Sequence, residues 1–159
     1  MRIKYLANVR MPTSRAHGYA IMKMCSEFAT TGNSVELIIP NRIDYQDNAP
    51  DPFSFYKLER NFSIRKLFCF DLLGRTLLFG RLFYWLALIS FLLSFLLSYR
   101  HDQSDVIYTR DFMMLLFAPR QANIFLELHD IPASKFLFER LVKKPKLFFV
   151  LNNYLKDEL

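Results

Sequence analysis

Asp105-Val106-Ile107-Tyr108-Thr109-Arg110-Asp111 and, further on, Ile124-Phe125-Leu126-Glu127-Leu128-His129-Asp130 decide the fold of this chain. Each is a short apolar run that ends abruptly in residues a buried strand would not want. A third run, residues 3–7, ends the same way in the polar cluster of residues 8–18. Short apolar runs bounded by turn-forming residues are consistent with strands covered on both faces, as parallel sheets require. In an open parallel sheet with helical crossovers the strand tips lie side by side at the carboxyl edge, where such folds bind ligands. Three clusters far apart in sequence are therefore expected to meet in one crevice.

The rest of the chain supplies the alternation such a sheet needs. Residues 18–31 carry Ile21, Met24, Cys25 and Phe28 at helical spacing, with Gly32 placed to stop the helix. Residues 35–39 are a near-continuous aliphatic run closed by Pro40. Residues 41–61 hold two prolines and many polar side chains, and are expected to be mostly loop. Residues 62–68 alternate apolar side chains with Ser63, Arg65 and Lys66, the pattern of a half-exposed or edge strand. A long apolar helix, strands at 106–108, 124–128 and 147–151, and helical segments at 112–117 and 135–142 complete the chain, with a final helix starting near Asn153. This order predicts an α/β fold, a doubly wound, Rossmann-like parallel sheet in one domain spanning residues 1–159.

Composition narrows the classes further. Of 159 residues 52% are hydrophobic and 17 are Phe, which excludes disorder and demands heavy burial or lipid contact. The net charge of +6 is spread without a dense basic stripe, so it suits a phosphorylated sugar or a membrane surface and argues against nucleic acid as a partner. Cys25 and Cys69 form neither a metal-spaced pair nor a disulfide framework, which fits a reducing cytoplasm. The apolar run at residues 3–7 is too short for the core of an export signal. Lys156-Asp157-Glu158-Leu159 spells a retention address of the endoplasmic reticulum, and without such a signal is expected to be the start of the final helix.

Lys4-Tyr5-Leu6-Ala7-Asn8-Val9-Arg10-Met11-Pro12-Thr13, then Ala16-His17-Gly18-Tyr19 and Ile21-Met22-Lys23-Met24-Cys25, resemble the amino-terminal domain of family 4 glycosyltransferases of the GT-B fold. Asp51-Pro52-Phe53, the 105–111 stretch and Glu127-Leu128-His129-Asp130-Ile131-Pro132 continue the likeness in order across nearly the whole chain. The resemblance implies two Rossmann-like domains facing across a cleft, retaining transfer from a nucleotide-sugar donor, and no metal or other cofactor. The donor-binding carboxy-terminal domain, with its paired glutamates, has no counterpart in these 159 residues. The chain is thus expected to hold the acceptor side of the site, for a glycan or lipid-linked acceptor, and to need a nucleotide-sugar-binding domain or partner chain for catalysis. A noncatalytic membrane-associated scaffold, or a remnant with the same fold, is the alternative.

The candidate site residues follow from chemistry and from this likeness together. His129, directly after a strand, can donate a hydrogen bond to a sugar hydroxyl or a developing charge. It matches the family's active-site histidine and is the candidate catalytic residue. Gly18, where loop becomes helix, either opens the backbone to a phosphate or merely eases a tight turn. G-x-G-x-x-G is absent, which disfavours a dinucleotide-binding domain. His17 and Tyr19 flank Gly18 as substrate-binding candidates, although His17 suits a solvated loop equally well. Arg110 offers a planar fork for a phosphate. Asp111 is a substrate-side candidate whose favoured role is the N-cap of the next segment. Asp130 either orients His129 or, as favoured, caps the turn before Pro132.

Residues 82–99 are uncharged from end to end between Arg81 and Arg100. At about 1.5 Å per residue these 18 residues reach ~27 Å, slightly less than the ~30 Å hydrocarbon core. Spanning a bilayer would place strands of one sheet on opposite sides of it, so a crossover helix is expected. Ser90, Ser94 and Ser98 share one face, expected to pack on the sheet, with large apolar residues left for a membrane surface or a protein neighbour. The expected location is the cytoplasm, with peripheral attachment to the inner face of the membrane.

Overall fold

The apolar runs pair into one sheet, and their order in it places the polar clusters. The computed structural model describes residues 1–42, 51–71, 80–99, 105–119, 122–129 and 135–150. Strands β1 (Arg2–Leu6), β2 (Ser34–Pro40), β3 (Ser63–Leu67), β4 (Asp105–Thr109), β5 (Asn123–Leu128) and β6 (Leu147–Val150) stand in the order β3-β2-β1-β4-β5-β6. All pairings are parallel, with Leu6 opposite Thr109 and Thr109 opposite Leu126. The protein is therefore an α/β, Rossmann-like doubly wound fold whose direction of winding reverses between β1 and β4.

Two apolar layers cover the sheet. Helices α1 (Ala16–Thr30) and α2 (Pro52–Tyr56) pack on one face, where Met22, Cys25, Phe53 and Tyr56 meet Tyr5, Leu37 and Tyr108. Helices α3 (Gly80–Ser98) and α4 (Lys135–Leu141), with a 3-10 helix at Phe112–Phe117, cover the other, burying Leu6, Ile38, Ile107, Ile124 and Leu126. Strand β4 is buried at all five positions, Asp105 included. That carboxylate is ion-paired with Lys4 and, at 3.0 Å, with Arg2. A charge this deep is tolerated only with such partners.

Several expectations are corrected in detail. The stretch 41–61 is mostly loop among its described residues, as expected, with one short helix that was not foreseen. It contains α2, capped by Asp51, whose side chain accepts from the Ser54 N–H at 3.0 Å, with Pro52 in the first turn. Asp-Pro is a helix-start signal that the density of prolines obscured. The segment 112–117 forms a 3-10 helix, and α1 begins two residues before Gly18. The final helix expected near Asn153 lies outside the described residues.

The largest correction concerns α3. It is the crossover between β3 and β4, but the serine stripe does not face the sheet. Ala87, Leu88, Phe91, Leu92 and Phe95 do, while the serines lie at the flank. Ser90 Oγ accepts from the Phe70 N–H at 2.8 Å and donates to the Ala87 carbonyl, and Ser98 Oγ donates to Phe95. A hydroxyl that bonds its own helix backbone needs no place in the core. The opposite face is also apolar: Leu82, Leu86, Ile89, Leu93, Leu96 and Leu97 are all exposed, Leu97 by 87%. The two faces should therefore differ sharply in stability. Phe91→Ala, at a fully buried site, is expected to cost about 3–5 kcal/mol. Leu97→Ala should stay within about 0.5 kcal/mol. Urea denaturation of both variants measures the contrast.

Candidate functional site

At the carboxyl edge, beside the reversal between β1 and β4, lies a cavity of about 350 Å³. Its walls come from the ends of β1, β4 and β5 and from the start of α1. His17, Arg110, Asp111 and His129 line it together with Asn8 and Val9. Four sequence candidates thus converge from three separate segments, as the polar strand ends implied. The size is near the lower limit of small-molecule sites.

The loop from β1 to α1 is fixed from several directions. Asn8 Oδ1 accepts from Arg42 at 2.5 Å, and Arg10 reaches both carboxylate oxygens of Asp71 at 3.0 and 3.1 Å. The Tyr56 hydroxyl accepts the Thr13 N–H at 2.8 Å and lies 2.7 Å from the Thr13 carbonyl, to which it donates. Gly18 belongs to this clamp. A Cβ there would stand 2.4 Å from both Thr13 Cγ2 and the Tyr56 oxygen, so only glycine lets helix and loop approach this closely. Its N–H bonds to the Arg15 carbonyl at 3.0 Å and is thereby committed within the turn. Gly18 and Tyr19 do not line the cavity; the exposed Tyr19 ring leans towards Tyr56, 6.3 Å between centroids. Asp130 lies outside the described residues.

Beyond β4, Asp111 caps the 3-10 helix, accepting from the Met113 N–H at 2.9 Å, while its own N–H bonds to Thr109 Oγ1 at 3.1 Å. Burial raises the Asp111 carboxyl above its ordinary value, and the Met113 N–H offsets only part of that. Arg110 points its Nε at Glu127 Oε2, 2.8 Å away. The residue borders the cavity.

Glu127 is the functional-site residue that sequence reasoning passed over. It stands in β5 with 5% of its surface exposed and has three polar side-chain partners. Oε2 accepts from Tyr108 at 2.5 Å and from Arg110, and Oε1 faces His129 Nε2 at 3.0 Å. Burial opposes its charge, yet the bonds from Tyr108 and Arg110 prevail and hold the carboxyl below its ordinary range. Beneath it Tyr5 is buried against Tyr108, 5.0 Å between ring centres, and burial pushes its phenol well up. The available signal was an acidic residue in the middle of an otherwise apolar strand, two positions before the histidine.

A larger groove of about 660 Å³ runs along α2 and β3, where Asp51 and Arg60 pair with each other at 2.9 Å. Among the described residues no group of three or more His, Cys, Asp or Glu side chains has a metal-binding arrangement. No protein-family model matches the chain, and no curated protein matches it either.

Asp111 provides a test of the site's electrostatics. Its folded pKa lies above the unfolded value, so the charged form costs stability above that folded pKa, and the cost disappears as pH falls towards the ordinary carboxylate value. Asn caps as well as Asp and carries no charge. Asp111→Asn should therefore equal or exceed the parent protein in stability at pH 7, with the difference closing in acid. Asp111→Ala should lose about 1 kcal/mol through the missing cap. Denaturant titrations of the three proteins at pH 7 and pH 4 measure both effects.

Proposed function

We propose that this chain is the acceptor-side domain of a retaining glycosyltransferase, similar to the amino-terminal domains of family 4. A second domain or a partner chain would bring the nucleotide-sugar. The observation that carries the proposal is the meeting of His17, Arg110, Asp111 and His129 on one cavity at the reversal between β1 and β4. These are the residues that the collinear likeness singles out. Arg110 supplies a fork for a phosphate or carboxylate, and His129 a partner for a hydroxyl. The cavity suits a single sugar unit better than a dinucleotide.

The probes are glucose 1-phosphate, N-acetylglucosamine 1-phosphate and farnesyl-diphosphate-linked N-acetylglucosamine, titrated into the 15N-labelled chain. At least one should shift the Arg110 and His129 resonances, and Arg110→Ala and His129→Ala should each weaken it about tenfold or more, about 1.4 kcal/mol. NAD and ATP should leave these resonances in place. Binding of NAD or ATP in the cavity, or silence with every sugar probe, overturns the proposal in favour of a nucleotide module or a noncatalytic domain.

The exposed face of α3 favours a second element: attachment to an anionic membrane surface, on the cytoplasmic side. Only 28% of its apolar window is buried, far from the mostly buried pattern of a core helix. Phe68 and Phe70, both exposed, extend the patch from the end of β3, tied to α3 through the Ser90 bond. Exposed Arg81 stands at its start, and Tyr84 and Trp85, amphipathic aromatics suited to the headgroup level, follow it. A lipid-linked acceptor would be met at that surface. The chain should cosediment with phosphatidylglycerol-containing vesicles, less so at high salt, and Leu93→Glu with Leu97→Glu should abolish this in a folded protein. Failure to bind vesicles, with self-association that the same variant dissolves, assigns the face to a second copy instead.

A further inference from the structure

We infer that Glu127 is a positioning residue, one carboxylate that fixes the proton of His129 on Nε2 and leaves Nδ1 to meet a ligand in the cavity. The geometry carries this. Oε1 lies 3.0 Å from His129 Nε2, and Oε2 receives Tyr108 and Arg110 Nε. An ionised carboxylate only accepts, so each of the three partners must donate. Nε2 therefore holds hydrogen, and in the neutral ring the lone pair belongs to Nδ1. That nitrogen has no protein partner among the described residues, on a ring that is 40% exposed and lines the cavity.

The placement follows from strand geometry. Side chains two apart on a strand point to the same face, which brings Glu127 and His129 together. Thr109 lies opposite Leu126, so one residue further along Arg110 comes beside Glu127. Glu127 thus holds two candidate binding groups at once. It leaves the Arg110 amino groups as donors and His129 Nδ1 as an acceptor on the cavity wall. An anionic oxygen next to a hydroxyl, as in a sugar phosphate, matches this pair. That ligand class rests on the proposed function; the positioning role does not.

Histidine 15N spectroscopy tests the two separately. Long-range proton–nitrogen correlation on the 15N-labelled chain, with His129 assigned from the loss of its signals in His129→Asn, reports which ring nitrogen carries hydrogen. The native protein should show the Nε2–H form. In Glu127→Gln, checked for folding by circular dichroism, the amide oxygen is expected to stay with Arg110 and Tyr108. That turns the amide N–H group towards His129, and a donor facing Nε2 drives the ring to the Nδ1–H form. A native ring in the Nδ1–H form, which needs no variant to observe, overturns the inference, as does an unchanged tautomer in folded Glu127→Gln. Glucose 1-phosphate, if bound, should lose about tenfold in affinity in the variant. A tautomer switch with no sugar binding in either protein upholds the positioning role and counts against the glycosyltransferase proposal alone.

Discussion

The parallel pairing of β4 between β1 and β5 is the constraint on which everything else depends. It buries every residue of β4, so polar groups there must be matched within the sheet or displaced to its ends. Both solutions are present. At the amino end Asp105, 1% exposed, is held by Lys4 and Arg2, both from β1. At the carboxyl end Thr109 turns its hydroxyl to the Asp111 N–H, and Arg110 and Asp111 leave the sheet into the cavity wall. The same pairing that excludes water from the middle of the sheet concentrates its chemistry at one edge.

Glu127 is the exception that the edge does not explain. It is a charge kept inside a strand where an apolar residue of similar size would be at least as stable, since desolvation costs several kcal/mol per ion. Three donors offset that cost, and losing any one of them leaves a buried acceptor short of a partner. An arrangement with so little stabilising value of its own is better accounted for by what it orients. It fixes two side chains that stand one residue past the ends of different strands, Arg110 after β4 and His129 after β5, relative to each other. Tyr108, the third donor, is itself packed against Tyr5 and Phe28, so the carboxylate rests on the apolar core.

The strands, α1 and the convergence of polar clusters were legible because each rests on a local signal: an unbroken aliphatic run, a helical period, a polar stop. Strand β3 was legible as an edge because its alternation with Arg65 and Lys66 needs only one covered face. What was lost depended on long-range packing. Nothing local marks Gly18 as a packing glycine, because its neighbours Thr13 and Tyr56 arrive from the preceding loop and from α2. Glu127 was visible as an oddity, but its three partners lie on β4, just past the end of β4 and just past the end of its own strand. The serines of α3 misled because a small-residue stripe resembles a packing face, while the Ser90 and Ser98 hydroxyls bond backbone carbonyls and the sheet is left to Phe91 and Phe95.

Helix α3 joins the two halves of the functional proposal mechanically. A crossover helix needs one apolar face to cover its sheet, and here Leu88, Phe91, Leu92 and Phe95 suffice. The second apolar face does nothing for that layer and, left in water, invites association. Because α3 follows β3, its first turn lies at the carboxyl edge, where Tyr84 sits against Asn8 and senses the Asp111 charge. Asn8 and Asp111 both line the cavity. A surface that seats α3 is therefore in contact, through one rigid helix, with the wall of the site. On the proposed function, that proximity would let an acceptor stay in the lipid while its sugar reaches His129.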